Sequence, residues 1–100
     1  MSVIVEFSIF PMDKGESLSA YVARSIPIVR ASGLPHEFHS MGTCIEGEWD
    51  EVMAVVNRCV EAMRADCRRV NLSLKADFRE GPSGRMRRKV ESVVQKLEAR

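Results

Sequence analysis

The chain opens on an alternation. In "SVIVEFSIF" (residues 2–10), Val3, Val5, Phe7 and Ile9 fall on one side of an extended backbone, and Ile4, Glu6, Ser8 and Phe10 on the other. The β-branched and aromatic content predicts a strand, and Pro11 predicts its end, because proline donates nothing to a ladder. Residues 16–32 change period. Leu18, Tyr21, Val22, Ser25, Ile26 and Val29 recur at three- and four-residue spacing, which predicts a helix kinked at Pro27 and stopped by Gly33 and Pro35. "HEFHSM" (residues 36–41) and "GTCIEGE" (residues 42–48) predict two strands joined by a tight turn near Gly42. Residues 49–65 predict a second helix, with Val52, Met53, Val56, Cys59, Val60 and Met63 on one stripe. Asp50 and Glu51 fill its first turn, where the helix dipole favours negative charge. "RRVNLSLKADF" (residues 68–78) predicts a fourth strand, "REGPSG" (residues 79–84) a loop, and residues 85–100 a third helix with Met86, Val90, Val93, Val94 and Leu97 apolar.

The order β-α-β-β-α-β, with an additional C-terminal helix, is the split arrangement of ferredoxin-like folds. It predicts an α+β domain over residues 1–100, with a four-stranded antiparallel sheet of order 4-1-3-2 and helices on one face.

The alternation also predicts what each face of that sheet carries. Val70, Leu72, Leu74 and Ala76 of the fourth strand join the apolar set of the first strand against the helices. The other face receives Glu6, Ser8, Asn71, Ser73, Lys75 and Asp77, with Cys44 and Glu46 added by the parity of the third strand. Thr43 points the other way in a regular strand, unless a bulge near Gly42 turns it. A solvated face is the plain reading of such a pattern. Ile4 and Phe10 remain on it, however, and its polar groups are mostly short. Such a surface suits burial against a second subunit or a small ligand.

Composition narrows the function classes. The apolar fraction of 45% and charged fraction of 29% fit an ordinary globular domain, and the net charge of +1 supplies no field to recruit nucleic acid or an anionic membrane. No apolar run reaches the ~20 residues that span a bilayer, and Glu6 interrupts the apolar N-terminus, which lacks a basic start. A cytoplasmic protein is the expectation. Cys44, Cys59 and Cys67 form no CxxC; Cys59 and Cys67 lie roughly 12 Å apart along a helix, too far for a disulfide. Reduced thiols follow. His36 and His39 are adjacent to no cysteine pair, so neither a metal site nor a cofactor is expected. Cys44 has no neighbour in sequence that would activate it as a nucleophile, and the basic run "RMRRK" (residues 85–89) lacks the interleaved aromatics of a nucleic-acid surface.

Four stretches together are specific. "VEFSIFPM" (residues 5–12), "KGESLSAYVA" (residues 14–23), "ASGLP" (residues 31–35) and "MGTCIEGEWDEVMAVV" (residues 41–56) resemble the MTH1187/YkoF-type thiamine-binding protein family over nearly the whole chain. Pro27 and "DCRR" (residues 66–69) depart from it. The resemblance implies a ferredoxin-like fold that pairs through its sheets into dimers or tetramers. It also implies non-enzymatic binding of thiamine or its hydroxymethyl-pyrimidine part, in salvage or trafficking. By position it implies Ser8, Thr43 and Glu46 as ligand contacts, with Lys75 and Asp77 where the last strand approaches the site. An aminopyrimidine offers an amino donor and ring-nitrogen acceptors, which carboxylates and hydroxyls such as those of Glu46, Asp77, Ser8 and Thr43 complement; Phe10, Phe38 or Met41 could cover the ring. The alternative is a structural or regulatory oligomerisation module with no small-molecule ligand. An enzyme is disfavoured, since no histidine meets the carboxylates by parity and no phosphate loop is present.

Overall fold

The computed structural model describes residues 2–81 and 84–98. The loop predicted at Pro82 and Ser83 and the helical residues predicted at Ala99 and Arg100 lie outside them. The sheet is organised on β1 (Ser2–Pro11), which pairs antiparallel with β3 (Gly42–Glu48) on one side and β4 (Val70–Arg79) on the other. A short β2 (His36–His39) extends β3, giving the order β2-β3-β1-β4. This is the predicted ferredoxin-like sheet, listed from its other edge.

Register turns the alternation into a core. Val5 stands opposite Ile45 and Ala76, and Phe7 opposite Thr43 and Leu74. Val3, Val5, Phe7, Ile9 and Ile45 are buried against Val52, Val55, Val56, Cys59 and Met63 of α3 (Trp49–Arg64). Each such side chain contributes roughly 1.5–3 kcal/mol by leaving water.

The helix predicted over residues 16–32 is two short pieces, α1 (Ser19–Val22) and α2 (Ser25–Ala31). The break at Ala23 and Arg24 places Pro27 in the first turn of α2, where its missing N–H has no intrahelical partner to lose. Arg24 fastens this break to the end of α3. It donates to Asp66 Oδ1 at 2.6 Å and Oδ2 at 2.9 Å, and to the Ala62 carbonyl at 3.1 Å, while its guanidinium lies over the Tyr21 ring.

Two expectations are corrected. The apolar set of β4 faces the helix side, yet Leu72, Leu74 and Phe78 are 41%, 36% and 51% exposed. β4 is an edge strand; of its residues Val70 and Ala76 pack against the core, and Phe78 meets the tilted Trp49 ring of α3 at a 5.0 Å centroid distance. Nor do all helices share one face. α4 (Arg85–Glu98) starts on the opposite side, where Arg85 is buried against Ser2, Glu46 and Asp77. Its own apolar residues, Val90, Val93, Val94 and Leu97, stay exposed.

Candidate functional site

The ladder between β1 and β3 ends at Phe7–Thr43, whereas the ladder between β1 and β4 continues to Pro11–Val70. β1 therefore runs past the β2–β3 hairpin and leaves its flank open on that side from Ser8 onward. The hairpin turn closes one end of this notch and α1 and α2 roof it. The result is a cavity of about 350 Å³ lined by Phe7 to Phe10 of β1, Val22, Ser25 and Ile26 of the roof, and Phe38 to Thr43 of the hairpin. Three of the residues singled out from the sequence, Ser8, Phe10 and Thr43, meet here. Ser8 and Thr43 point to opposite faces of the sheet, as the alternation requires, and no bulge turns Thr43. They converge because the cavity lies where the sheet stops.

The walls are mainly apolar, with a few hydroxyls. Ser25 is 5% exposed, and its hydroxyl is turned to the Cys59 thiol of the core, which it hydrogen-bonds. Gly42 shapes the turn: a Cβ there would stand 2.8 Å from the Phe7 carbonyl oxygen, so the hairpin reaches β1 closely only because this residue has no side chain.

Lys75 stands outside this cavity. With Ser8, Glu6 and Ser73 it borders a smaller hollow of about 150 Å³ on the open face of the sheet. Glu46 and Asp77 lie at the far end, both opposite Ile4, and line neither space. Glu46 is 1% exposed; its Oε2 accepts from the Arg85 backbone N–H at 2.9 Å and its Oε1 has no partner. Asp77 pairs with Lys89, and at 3.6 Å with Arg85 Nη1; the Lys89 ammonium is the main cause that lowers its carboxyl pKa. The sequence places these two carboxylates on the correct face. It does not show that α4 would settle on them.

A further grouping on the open face was hidden in the sequence. Glu37, Cys44, Glu6 and Lys75 form one row across all four strands, with His39 diagonal to Cys44. Partial burial, and then the Glu6 and Glu37 carboxylates, push the Cys44 thiol pKa up, against a smaller opposing effect of Lys75. Only strand register could have revealed this grouping.

The fold and the cavity define a ferredoxin-like α+β protein with a small, largely apolar binding space at the end of its sheet. The profile of the thiamine-binding protein family matches residues 5–94, and the chain belongs to that family. Relatives span the chain almost end to end. UPF0045 protein Mb1933 of Mycobacterium bovis is 46% identical over 98 residues, covering 97% of this chain and 96% of that one. The crystal structure of hypothetical protein MJ1052 from Methanocaldococcus jannaschii superimposes with a TM-score of 0.84 at 34% identity, over 92% of this chain and 95% of that one. A domain of unknown function from Bacillus cereus follows with a TM-score of 0.71 at 32% identity, over 79% and 77% of the two chains. Among the described residues no helix is long and apolar enough to cross a membrane.

Proposed function

We propose that this chain binds thiamine or a related hydroxymethyl-pyrimidine without transforming it, as a cytoplasmic homo-oligomer, in thiamine salvage or trafficking. Membership of a thiamine-binding family supports the ligand class. The observation that carries the site is the joining of the Ser8 and Thr43 hydroxyls with Phe10, Phe38 and Met41 around one cavity of about 350 Å³. That volume is at the small end of ligand pockets and suits one heteroaromatic molecule. The hydroxyls can donate to ring nitrogens or accept from the amino group, and the apolar side chains can cover the ring.

Charge favours this cavity over a wider one. A hollow of about 560 Å³ between the end of β4 and α4 is walled by four cations, Arg79, Arg85, Arg88 and Lys89, against one carboxylate, Glu80, and this surplus would repel the thiazolium cation. In this reading Ser8, Phe10 and Thr43 touch the ligand and Lys75 stands outside the cavity, while Glu46 and Asp77 hold α4.

The uncovered Leu72, Leu74 and Phe78 support self-association, since a second copy would remove them from water. The same surface favours the second reading, an oligomerisation module without a ligand. Isothermal titration of ligand-free protein with thiamine separates the two. The ligand reading predicts saturable heat that Thr43→Val weakens by about fivefold, one lost hydrogen bond being worth roughly 1 kcal/mol. No heat and no thermal shift at millimolar thiamine would leave the module.

A further inference from the structure

We propose that the open face of the sheet carries a divalent transition-metal site of the zinc type, built from Cys44 Sγ, His39 Nε2 and a Glu6 carboxylate oxygen. The register brings these groups together from three strands: Cys44 is directly opposite Glu6, and His39 is opposite Gly42, two residues along from Cys44. Cys44 Sγ lies 3.7 Å from His39 Nε2, which lies 3.5 Å from Glu6 Oε2, and all three ligand atoms fall within 4.8 Å of one another. Ligand atoms around a tetrahedral ion with bonds of 2.0–2.3 Å stand roughly 3.3–3.7 Å apart. Two separations already match. The third closes by a rotation of the Glu6 side chain, which is 45% exposed and free to move.

The donor set is also the right chemistry. Thiolate, imidazole and carboxylate are the ligands of zinc and of the neighbouring late transition metals, whereas magnesium and calcium take oxygen. Glu37 flanks Cys44 on the side away from Glu6, so a Cys44 thiolate would bring three negative groups into one row against the single charge of Lys75. A dication offsets that surplus. Without a metal, an exposed His39–Glu6 contact of 3.5 Å and a 3.7 Å contact between His39 and the Cys44 thiol hold the group, and such surface ion pairs contribute roughly 0–1 kcal/mol.

On binding, the Cys44 thiol gives its proton to solvent. His39 moves its proton from Nε2 to Nδ1 and gives up the 3.3 Å contact in which Nδ1 accepts from the Met41 N–H. No electron changes hands. Three protein ligands leave the fourth position to solvent, as in exchangeable sites. Cys59 and Cys67 are buried away from this face and do not compete.

The test titrates the full chain, freed of metal by chelation and kept reduced, with Co²⁺ and then Zn²⁺. The expected result is one Co²⁺ per chain with a thiolate-to-cobalt charge-transfer band, lost again on adding Zn²⁺. Cys44→Ser removes the band, Cys67→Ser keeps it, and His39→Gln and Glu6→Gln each weaken affinity by at least about tenfold, the lower bound for losing even an outer-shell partner. His39→Gln lies on an exposed hairpin strand and gives an independent reading should Cys44→Ser fold poorly. Absence of the band in the parent chain, or a band that survives both Cys44→Ser and His39→Gln, overturns the proposal.

Discussion

Glu46 Oε2 accepts the backbone N–H of Arg85 at 2.9 Å, and both residues are buried, so a carboxylate on the sheet caps the first turn of a helix from another part of the chain. The pairing serves both partners. The first N–H groups of a helix have no intrahelical acceptor, and a carboxylate buried here needs a donor. The Arg85 side chain completes the joint through its Nε to Ser2 Oγ at 3.3 Å and its Nη2 to the carbonyls of Ser2 and Asp77, both at 3.0 Å.

Glu46→Ala therefore loosens α4 in preference to the sheet. A hydrogen bond to a charged group is worth roughly 1.5–3 kcal/mol, and the stability loss in urea unfolding should fall in that range, with faster proteolysis within α4. Glu46→Gln keeps an acceptor and should lose less. Unchanged stability and proteolysis in Glu46→Ala would show that the cap does not hold α4.

Gly42→Ala places a Cβ, fixed rigidly to the chain, 2.8 Å from the Phe7 backbone carbonyl oxygen, so neither side can yield cheaply. The hairpin must move away from β1 at the mouth of the cavity. Thermal unfolding should report a loss of roughly 1–3 kcal/mol, the range for overpacking. An unchanged melting temperature would mean that the turn has room the geometry does not show.

The Arg24–Asp66 pair predicts a pH dependence. The Arg24 guanidinium lowers the Asp66 pKa from 3.8 to about 2, so the folded state favours the ionised carboxylate. Its stabilising effect is fully present above pH 4 and is lost as pH falls from about 4 to about 2. Asp66→Asn should flatten acid unfolding in that window and leave stability between pH 6 and pH 8 less affected by pH in either protein. An identical acid limb in the variant would remove the pair from the account.

Leu74→Lys tests the apolar edge. Leu74 is 36% exposed on an edge strand, so the substitution should cost the isolated chain little while placing charge where a second copy would dock. Light scattering should show a smaller species with an unchanged circular dichroism spectrum. An assembly of unchanged mass would put the contact elsewhere.

Much of the fold was legible because β1 alternates without a break: Val3, Val5, Phe7 and Ile9 are all buried, and the parity of Thr43 followed from the same rule. The exposure of Leu72 and Leu74 was not legible, because period two tells which face a residue takes and not whether anything covers it. The break before Pro27 left a trace in the proline, but the tie from Arg24 to Asp66 that fixes it spans 42 positions. Glu46 could be read as a ligand contact because it points to the open face. That α4 arrives there goes with the buried Arg85 joint and not with the helix's own apolar stripe, which stays exposed. Ser8, Phe10 and Thr43 carried a family motif, whereas the notch that joins them arises from unequal ladder lengths, which no local pattern encodes. The His39, Cys44 and Glu6 grouping depended on register in the same way.

The most direct test of the central claim is an amide chemical-shift titration of the assigned, isotope-labelled chain with thiamine. Binding in the notch predicts shifts concentrated at Ser8 to Phe10, Val22 to Ile26 and Phe38 to Thr43, weakened together in Thr43→Val. Shifts centred instead on Glu46, Asp77 and the start of α4, or none at saturating thiamine, would contradict it.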